Sequence, residues 1–187
     1  VGYSGGTLEN PTYYKLGDHT ETIEIDFDPR RVSYEGLLEV FWRGHNPHAA
    51  PFSIQYKSAV FFHGAEQERL ARESAARIAS ESGSEVTTEI LPASRFYRAE
   101  DYHQKYYLRN NGLLLGELAR YYAGRPKEFT DSTLAARLNG YAGHYGSAEQ
   151  LTSELDAYGL SQAARDHLLS IAPSLSSEAA FACGLGK

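Results

Sequence analysis

Ser58-Ala59-Val60-Phe61-Phe62-His63 is followed at once by Gly64 and by the long stretch Ala65 to Ser82, and then by Val86-Thr87-Thr88-Glu89-Ile90-Leu91. The first segment is a short apolar run, which suits a buried strand. The second is rich in Ala, Glu and Arg. It sets Leu70, Ala71, Ala75 and Ile78 at helical spacing on one inner face, and Gly83 stops it. The third is another strand, ended by Pro92. A strand, a long helix and a strand in succession place the chain in a mixed class.

Working back toward the N-terminus, Thr20, Thr22, Glu24 and Asp26 alternate with Glu21, Ile23, Ile25 and Phe27. That period predicts a half-buried strand, ended by Asp28-Pro29. Ser33 is a candidate N-cap with Glu35 in the first turn. Leu37, Leu38, Phe41 and Trp42 follow at helical spacing and predict a helix of about three turns. Gly44 to Pro51 reads as a loop broken by Pro47 and Pro51. Strand, helix, strand, helix, strand is most of a ferredoxin-like plait, which normally opens with one more strand and helix. The expected class is therefore α+β, a ferredoxin-like two-layer sandwich whose first strand and helix are missing from these residues.

Toward the C-terminus, Ala99 to Asn110 reads as helical, with Tyr102, Tyr106 and Tyr107 as an aromatic packing cluster. Leu113-Leu114-Leu115 and Leu118 predict a helix to about Tyr122. Thr130-Asp131-Ser132-Thr133 is rich in N-cap types and precedes Leu134 to Leu138. Gly140 to Gly146, with Tyr141 and Tyr145, reads as a loop. Ser147 to Tyr158 and Ser161 to Ile171 read as a helical hairpin joined at Gly159. The expected division is an α/β domain over residues 1–125 and a helical extension over 126–187.

The net charge of −6 argues against non-specific nucleic-acid binding, which needs a basic face. No apolar run reaches membrane-spanning length, so no membrane partner is expected. The single cysteine, Cys183, excludes an internal disulfide framework and suits a reducing compartment, so a cytoplasmic location is expected. Val1 is not an initiator methionine, which leaves a leader ahead of it open.

Gly5-Gly6 and Asn10-Pro11 are turn signals flanking a short polar loop, with Tyr13 and Tyr14 directly after it. Glu21 stands at the mouth of the predicted strand, on its apolar face. A carboxyl partly desolvated there favours its protonated, proton-donating form, and the bland reading is a solvated strand-end Glu. His45 and His48 are three apart, but Pro47 lies between them and no Cys or carboxylate frames them at zinc spacing. Gly2 to Gly6 lacks the lysine and preceding strand of a phosphate loop, and no Ser stands in a Gly-x-Ser-x-Gly setting. Neither a metal nor a cofactor is expected.

Val1-Gly2-Tyr3-Ser4-Gly5-Gly6, Asn10-Pro11-Thr12-Tyr13 and His19-Thr20-Glu21 resemble the peptide-methionine (S)-S-oxide reductase (MsrA) family. Asp28-Pro29, Ser33-Tyr34-Glu35, Val40-Phe41-Trp42, His45-Asn46-Pro47, Gln55-Tyr56-Lys57-Ser58, Thr88-Glu89-Ile90 and Ala99 to Gln104 follow in the family's order. Each piece is weak, and their order over about residues 1 to 110 makes the signal specific. The resemblance implies thiol-dependent reduction of methionine sulfoxide, free or in peptides, with a thioredoxin-type reductant as partner. It implies Glu21 as proton donor and the hydroxyls of Tyr13 and Tyr56 as ligands of the sulfoxide oxygen. His103, in the last motif, is given a structural or supporting role. The family's nucleophile sits in a Gly-Cys-Phe-Trp strand ahead of the Val-Gly-Tyr turn. Nothing here matches it, so the nucleophile is expected upstream of Val1. Cys183, on a Gly-flanked arm, is a candidate resolving thiol.

Two departures bear on the substrate. Where the family places an aspartate five residues before the tyrosine of Gln55-Tyr56, this chain has Pro51, and the loop between His45 and Gln55 is short. Tyr13 and Glu21 also lie closer in sequence than is usual. The alternative reading is a non-catalytic binding module or partner-dependent fragment with a reductase-like fold.

Overall fold

The computed structural model describes residues 1–175. The chain divides into two units, the first from Val1 to Glu100 and the second from Asp101 onward. The first unit runs β1 (Gly2–Ser4), β2 (Thr20–Thr22), α1 (Tyr34–Arg43), a 3-10 turn (Ile54–Tyr56), β3 (Ala59–Phe62), α2 (Ala65–Ser82), β4 (Glu89–Pro92) and β5 (Tyr97–Arg98). It is a mixed α/β arrangement with two small sheets. One has the order β2-β1-β5, antiparallel throughout, and the other is the pair β3-β4. β3 and β4 run parallel, with Val60 opposite Ile90 and Phe61 opposite Leu91. A parallel pair needs a long crossover between its strands, and α2 supplies it.

α2 has the predicted bounds, and Gly83 ends it in the left-handed conformation at φ +67°. Ser33 caps α1 by accepting the Gly36 N–H at 3.1 Å. Leu38 and Trp42 of α1, Val60 of β3 and Ala71 of α2 form the core of this unit, with Leu70, Ala75 and Ile78 packed against it. Inside that core the Trp42 indole N–H donates to Ser74 Oγ at 2.9 Å, and Ser74 donates to the Ala71 carbonyl at 2.8 Å. Ser74→Ala strands the buried indole N–H and is expected to cost about 1–3 kcal/mol. Denaturant unfolding followed by fluorescence of the single tryptophan measures it; an unchanged midpoint would refute the assignment.

Two strand expectations need correction. The alternation at 20–27 is a strand only over Thr20–Thr22, and its ladder with β1 ends at Gly2 opposite Thr22. Ile23 and Ile25 stand exposed. β4 begins at Glu89 rather than Val86, because the Thr87 N–H and hydroxyl are bonded to the 47–49 loop: the N–H to Pro47 O, the hydroxyl to Pro47 O and Ala49 O.

The second unit is helical: α3 (Tyr106–Arg109), α4 (Gly112–Tyr122), α5 (Pro126–Asp131), α6 (Thr133–Ala142), α7 (Ala148–Glu154) and α8 (Gln162–Ile171). Asn111, Ser132, Ser147 and Ser161 each cap a helix by accepting a backbone N–H three residues on. Gly159 turns the chain in the left-handed conformation between α7 and α8. The core gathers Leu108, Leu114, Leu118, Phe129, Leu138, Leu151 and Leu168 with their neighbours. The continuous helix expected over 99–110 is broken into a 3-10 turn at Asp101–His103 and the short α3, with Lys105 left-handed between them. Tyr102 and Tyr106 are exposed, while Tyr107 packs on Tyr145. The Gly/Tyr loop expected from residue 140 starts later, since α6 continues to Ala142.

Glu154 joins the helices of this unit. Its Oε2 accepts the hydroxyls of Tyr141 and Tyr158, and its Oε1 accepts from Gln150 and faces Arg137 at 3.2 Å. Burial pushes this carboxyl up, but the hydrogen bonds of Tyr158 and Gln150 and the Arg137 charge bring it below the usual carboxylate range. No helix among the described residues is long and apolar enough to cross a membrane.

Candidate active site

β1 is the anchor of the site. All three of its residues are buried. Gly2 has no room for a side chain, since a Cβ would lie 2.4 Å from the Phe96 ring and the Tyr97 carbonyl. The register puts Tyr3 opposite Glu21. From the other side, the Tyr3 hydroxyl donates to Glu100 Oε2 at 2.7 Å, and Glu100 Oε1 accepts the Tyr13 N–H at 3.1 Å. One carboxylate thus fixes the tip of the tight 12–15 turn that carries Tyr13.

The loop before β2 is built on two side chains. Asp18 accepts the Thr7 N–H at 2.8 Å, the Thr7 hydroxyl at 2.9 Å and the Leu8 N–H at 3.3 Å. His19 is buried; its Nδ1 accepts from the Gly6 N–H at 3.2 Å and its Nε2 donates to the Leu8 carbonyl at 2.8 Å. Gly6 is required there, because a Cβ would sit 2.6 Å from Asp18 Oδ1. The Thr7 hydrogen bonds lower the Asp18 carboxyl to about 2 from 3.8. A folded-state value below the unfolded one means that this contribution is complete above the ordinary value and is lost as pH falls through the lowered one. The protection of the Thr7 amide, its exchange relative to an unstructured peptide at the same pH, is therefore expected to fall between about pH 4 and about pH 2. Asp18→Asn should show the lowered protection at neutral pH already; equal protection in both proteins would contradict the anchor.

Beyond the loop, Thr20 is buried and its hydroxyl donates to the Ile54 carbonyl at 3.0 Å. This bond holds the Ile54–Tyr56 turn against β2. It brings Gln55 and Tyr56 to Glu21, across 34 residues of sequence: the Gln55 amide nitrogen is 2.7 Å from Glu21 Oε1 and 3.1 Å from the Tyr56 hydroxyl. The Tyr56 hydroxyl also shares a hydrogen bond with Tyr13. Desolvation and then the Glu21 charge and Tyr13 raise the Tyr56 phenol above its ordinary value, and the Gln55 bond opposes them. Glu21 is half-buried, and Tyr13 and Tyr56 are 38% and 39% exposed, so the group is reachable from solvent.

The structure thus brings Glu21, Tyr13 and Tyr56 together. Cys183 lies outside the described residues. His103 falls in the second unit, its ring against Tyr102 at 4.2 Å between centroids. The sequence carries no local signal for the roles of Gln55, Glu100 and Asp18. Gln55 stands next to Tyr56 and Glu100 next to a motif's start, but their importance depends on long-range partners. His45 is held between the Phe41 carbonyl and the Thr88 hydroxyl, and burial lowers its imidazole value against that carbonyl's pull. His48 bonds to the Glu85 carbonyl. Among the described residues no group of three His, Cys, Asp or Glu is placed to hold a metal ion.

The family model described as peptide methionine sulfoxide reductase matches residues 1–128. The chain belongs to the peptide methionine sulfoxide reductase family. A second model, the helical domain of selenoprotein methionine sulfoxide reductase A, matches residues 126–166. The chain is similar to a peptide methionine sulfoxide reductase of Drosophila melanogaster, 39% identical over 89% of this chain and 67% of that protein. It is also similar to peptide methionine sulfoxide reductase A5 of Oryza sativa subsp. japonica, 40% identical over 76% of this chain and 57% of that one. Across the first such reductases the chain spans 50% to 67% of their length. Its fold resembles that of reduced Mxr1 from Saccharomyces cerevisiae, with a TM-score of 0.55 at 24% identity over 59% of this chain and 70% of that one.

Proposed function

We propose that the chain activates methionine S-sulfoxide, free or in peptides, for reduction to methionine by a thiol. The observation that carries this reading is the meeting of Glu21, Tyr13 and Tyr56 on one accessible edge of the first unit. A sulfoxide oxygen is a strong acceptor, and its sulfur becomes attackable once that oxygen is protonated or strongly hydrogen-bonded. Tyrosine hydroxyls donate without carrying charge, and Glu21 delivers the proton. A thiolate attacks sulfur, the oxygen passes with the proton to the attacking sulfur, and the thioether departs. The sulfoxide sulfur gains two electrons and the cysteine becomes a sulfenic acid. The sulfenic oxygen leaves as water, and a thioredoxin-type dithiol, itself oxidised to a disulfide, supplies the two electrons that return the cysteine to thiol. The attacking cysteine is proposed to precede Val1, and Cys183 to serve as resolving thiol.

The proposal extends to architecture and location. The packing of α2 against β3 and β4 supports a helix layer over a sheet, which we read as a ferredoxin-like two-layer sandwich completed by a strand ahead of Val1. The two family models, which overlap at 126–128, support an α/β domain over 1–125 followed by a helical extension. The thiol chemistry suits a cytoplasmic location.

The test is to offer the full-length protein each epimer of an N-acetylated methionine sulfoxide with a dithiol reductant. Only the S epimer should be reduced. Equal reduction of both epimers would refute the stereochemical assignment, and binding of the S epimer without turnover would establish the binding-module alternative.

A further inference from the structure

We propose that Gln55 is a positioning residue that selects which oxygen of Glu21 hands on its proton and turns the Tyr56 hydroxyl toward the ligand. The proposal rests on the reading of Glu21 and Tyr56 given above. A carboxamide carries two N–H donors on one nitrogen, set apart in a plane. In this site one reaches Glu21 Oε1 at 2.7 Å and the other reaches the Tyr56 oxygen at 3.1 Å. Both distances fall in the range of true hydrogen bonds.

Two consequences follow from the donor count. Oε1 of Glu21 is occupied as an acceptor, so a proton placed on it would point at an amide hydrogen. The transferable proton therefore sits on Oε2. The Tyr56 oxygen accepts from Gln55, so its own hydrogen points away from Gln55 as a donor. In the ligand-free site Tyr13 shares that hydrogen bond; a sulfoxide oxygen would take it over. One side chain thus sets the direction of both groups.

Gln55 is itself held firmly. It is half-buried on the Ile54–Tyr56 turn, whose neighbouring carbonyl accepts from the buried Thr20 hydroxyl at 3.0 Å. Thr20 directly precedes Glu21, so both ends of the Gln55–Glu21 bond hang on the same short piece of β2.

The experiment compares Gln55→Leu and Gln55→Glu with the parent in the full-length protein. Leu keeps the bulk and removes both donors. Turnover of the S-sulfoxide is expected to fall about tenfold or more, with KM held within about threefold, because the groups remain but lose their aim. Glu places a second carboxylate against the first. The pair then shares a proton, and the basic limb of the kcat profile moves to higher pH. Independently of turnover, ¹³Cζ-tyrosine NMR should show Tyr56 titrating at higher pH in Gln55→Leu, because an amide donor favours the phenolate. A merely structural role would lower melting temperature and leave the pH limb and the Tyr56 titration in place. Parent-like kcat and pH profile in both variants, or an unmoved Tyr56 titration, overturns the proposal. If the parent itself reduces no S-sulfoxide, the functional reading fails, and the Tyr56 titration still decides whether Gln55 orients that hydroxyl.

Discussion

Replacing Glu21 by glutamine is expected to lower S-sulfoxide turnover by about 10²- to 10⁴-fold, the usual worth of a positioned general acid. The substitution is close to isosteric. Its amide oxygen can still accept from Gln55 Nε2, so the bond at 2.7 Å survives the change. The register that sets residue 21 opposite Tyr3 is a backbone property and is also retained. What is lost is the proton. Affinity for a sulfoxide ligand should therefore stay within about threefold of the parent while kcat collapses, because the missing interaction belongs to the transition state. Single-turnover kinetics with the full-length protein separates the two quantities. A variant that retained more than about a tenth of parental turnover would remove Glu21 from the acid role.

Leu138→Ala is expected to be the most costly of the stability changes, at about 2–5 kcal/mol. Leu138 is fully buried on α6 within the large apolar cluster of the second unit. Truncation removes buried methyl groups and leaves a cavity that the surrounding leucines only partly refill. The second unit offers little slack for collapse: Tyr141, one turn further along α6, is tied through its hydroxyl to Glu154 on α7. Denaturant unfolding of the full chain, monitored by helical circular dichroism at 222 nm, measures the loss. A change below about 1 kcal/mol would mean that the site repacks freely, against the close packing described above.

Local chemistry decided what could be read in advance. α2 is specified by its own composition, its apolar stripe and the glycine that ends it, and those signals need no partner. The same holds for the Ser33 cap and for the left-handed turn at Gly159. The differences arise where a distant residue has the deciding vote. Thr20 to Phe27 alternates over its full length, and the partner strand β1 pairs with its first three residues. Val86 to Thr88 has strand character, yet the loop at 47–49 captures Thr87. The 99–110 stretch has helical spacing, and the left-handed Lys105 divides it. The candidate site followed the same division. Glu21, Tyr13 and Tyr56 were singled out from the family's motifs, and the structure sets them side by side. Gln55, Glu100 and Asp18 act through bonds that span between 10 and 97 residues of sequence, and no local pattern announces such partners.

A histidine two residues from a proposed acid invites the idea of a proton wire. The 6–19 loop rules that idea out for His19. Each ring nitrogen is already committed to main chain, one taking a hydrogen from Gly6 and the other giving one to Leu8. The imidazole is a strut, spanning a gap that backbone alone could not bridge. If Glu21 acts as the proposed acid, its proton is not resupplied through this imidazole, whose two nitrogens serve the loop's backbone.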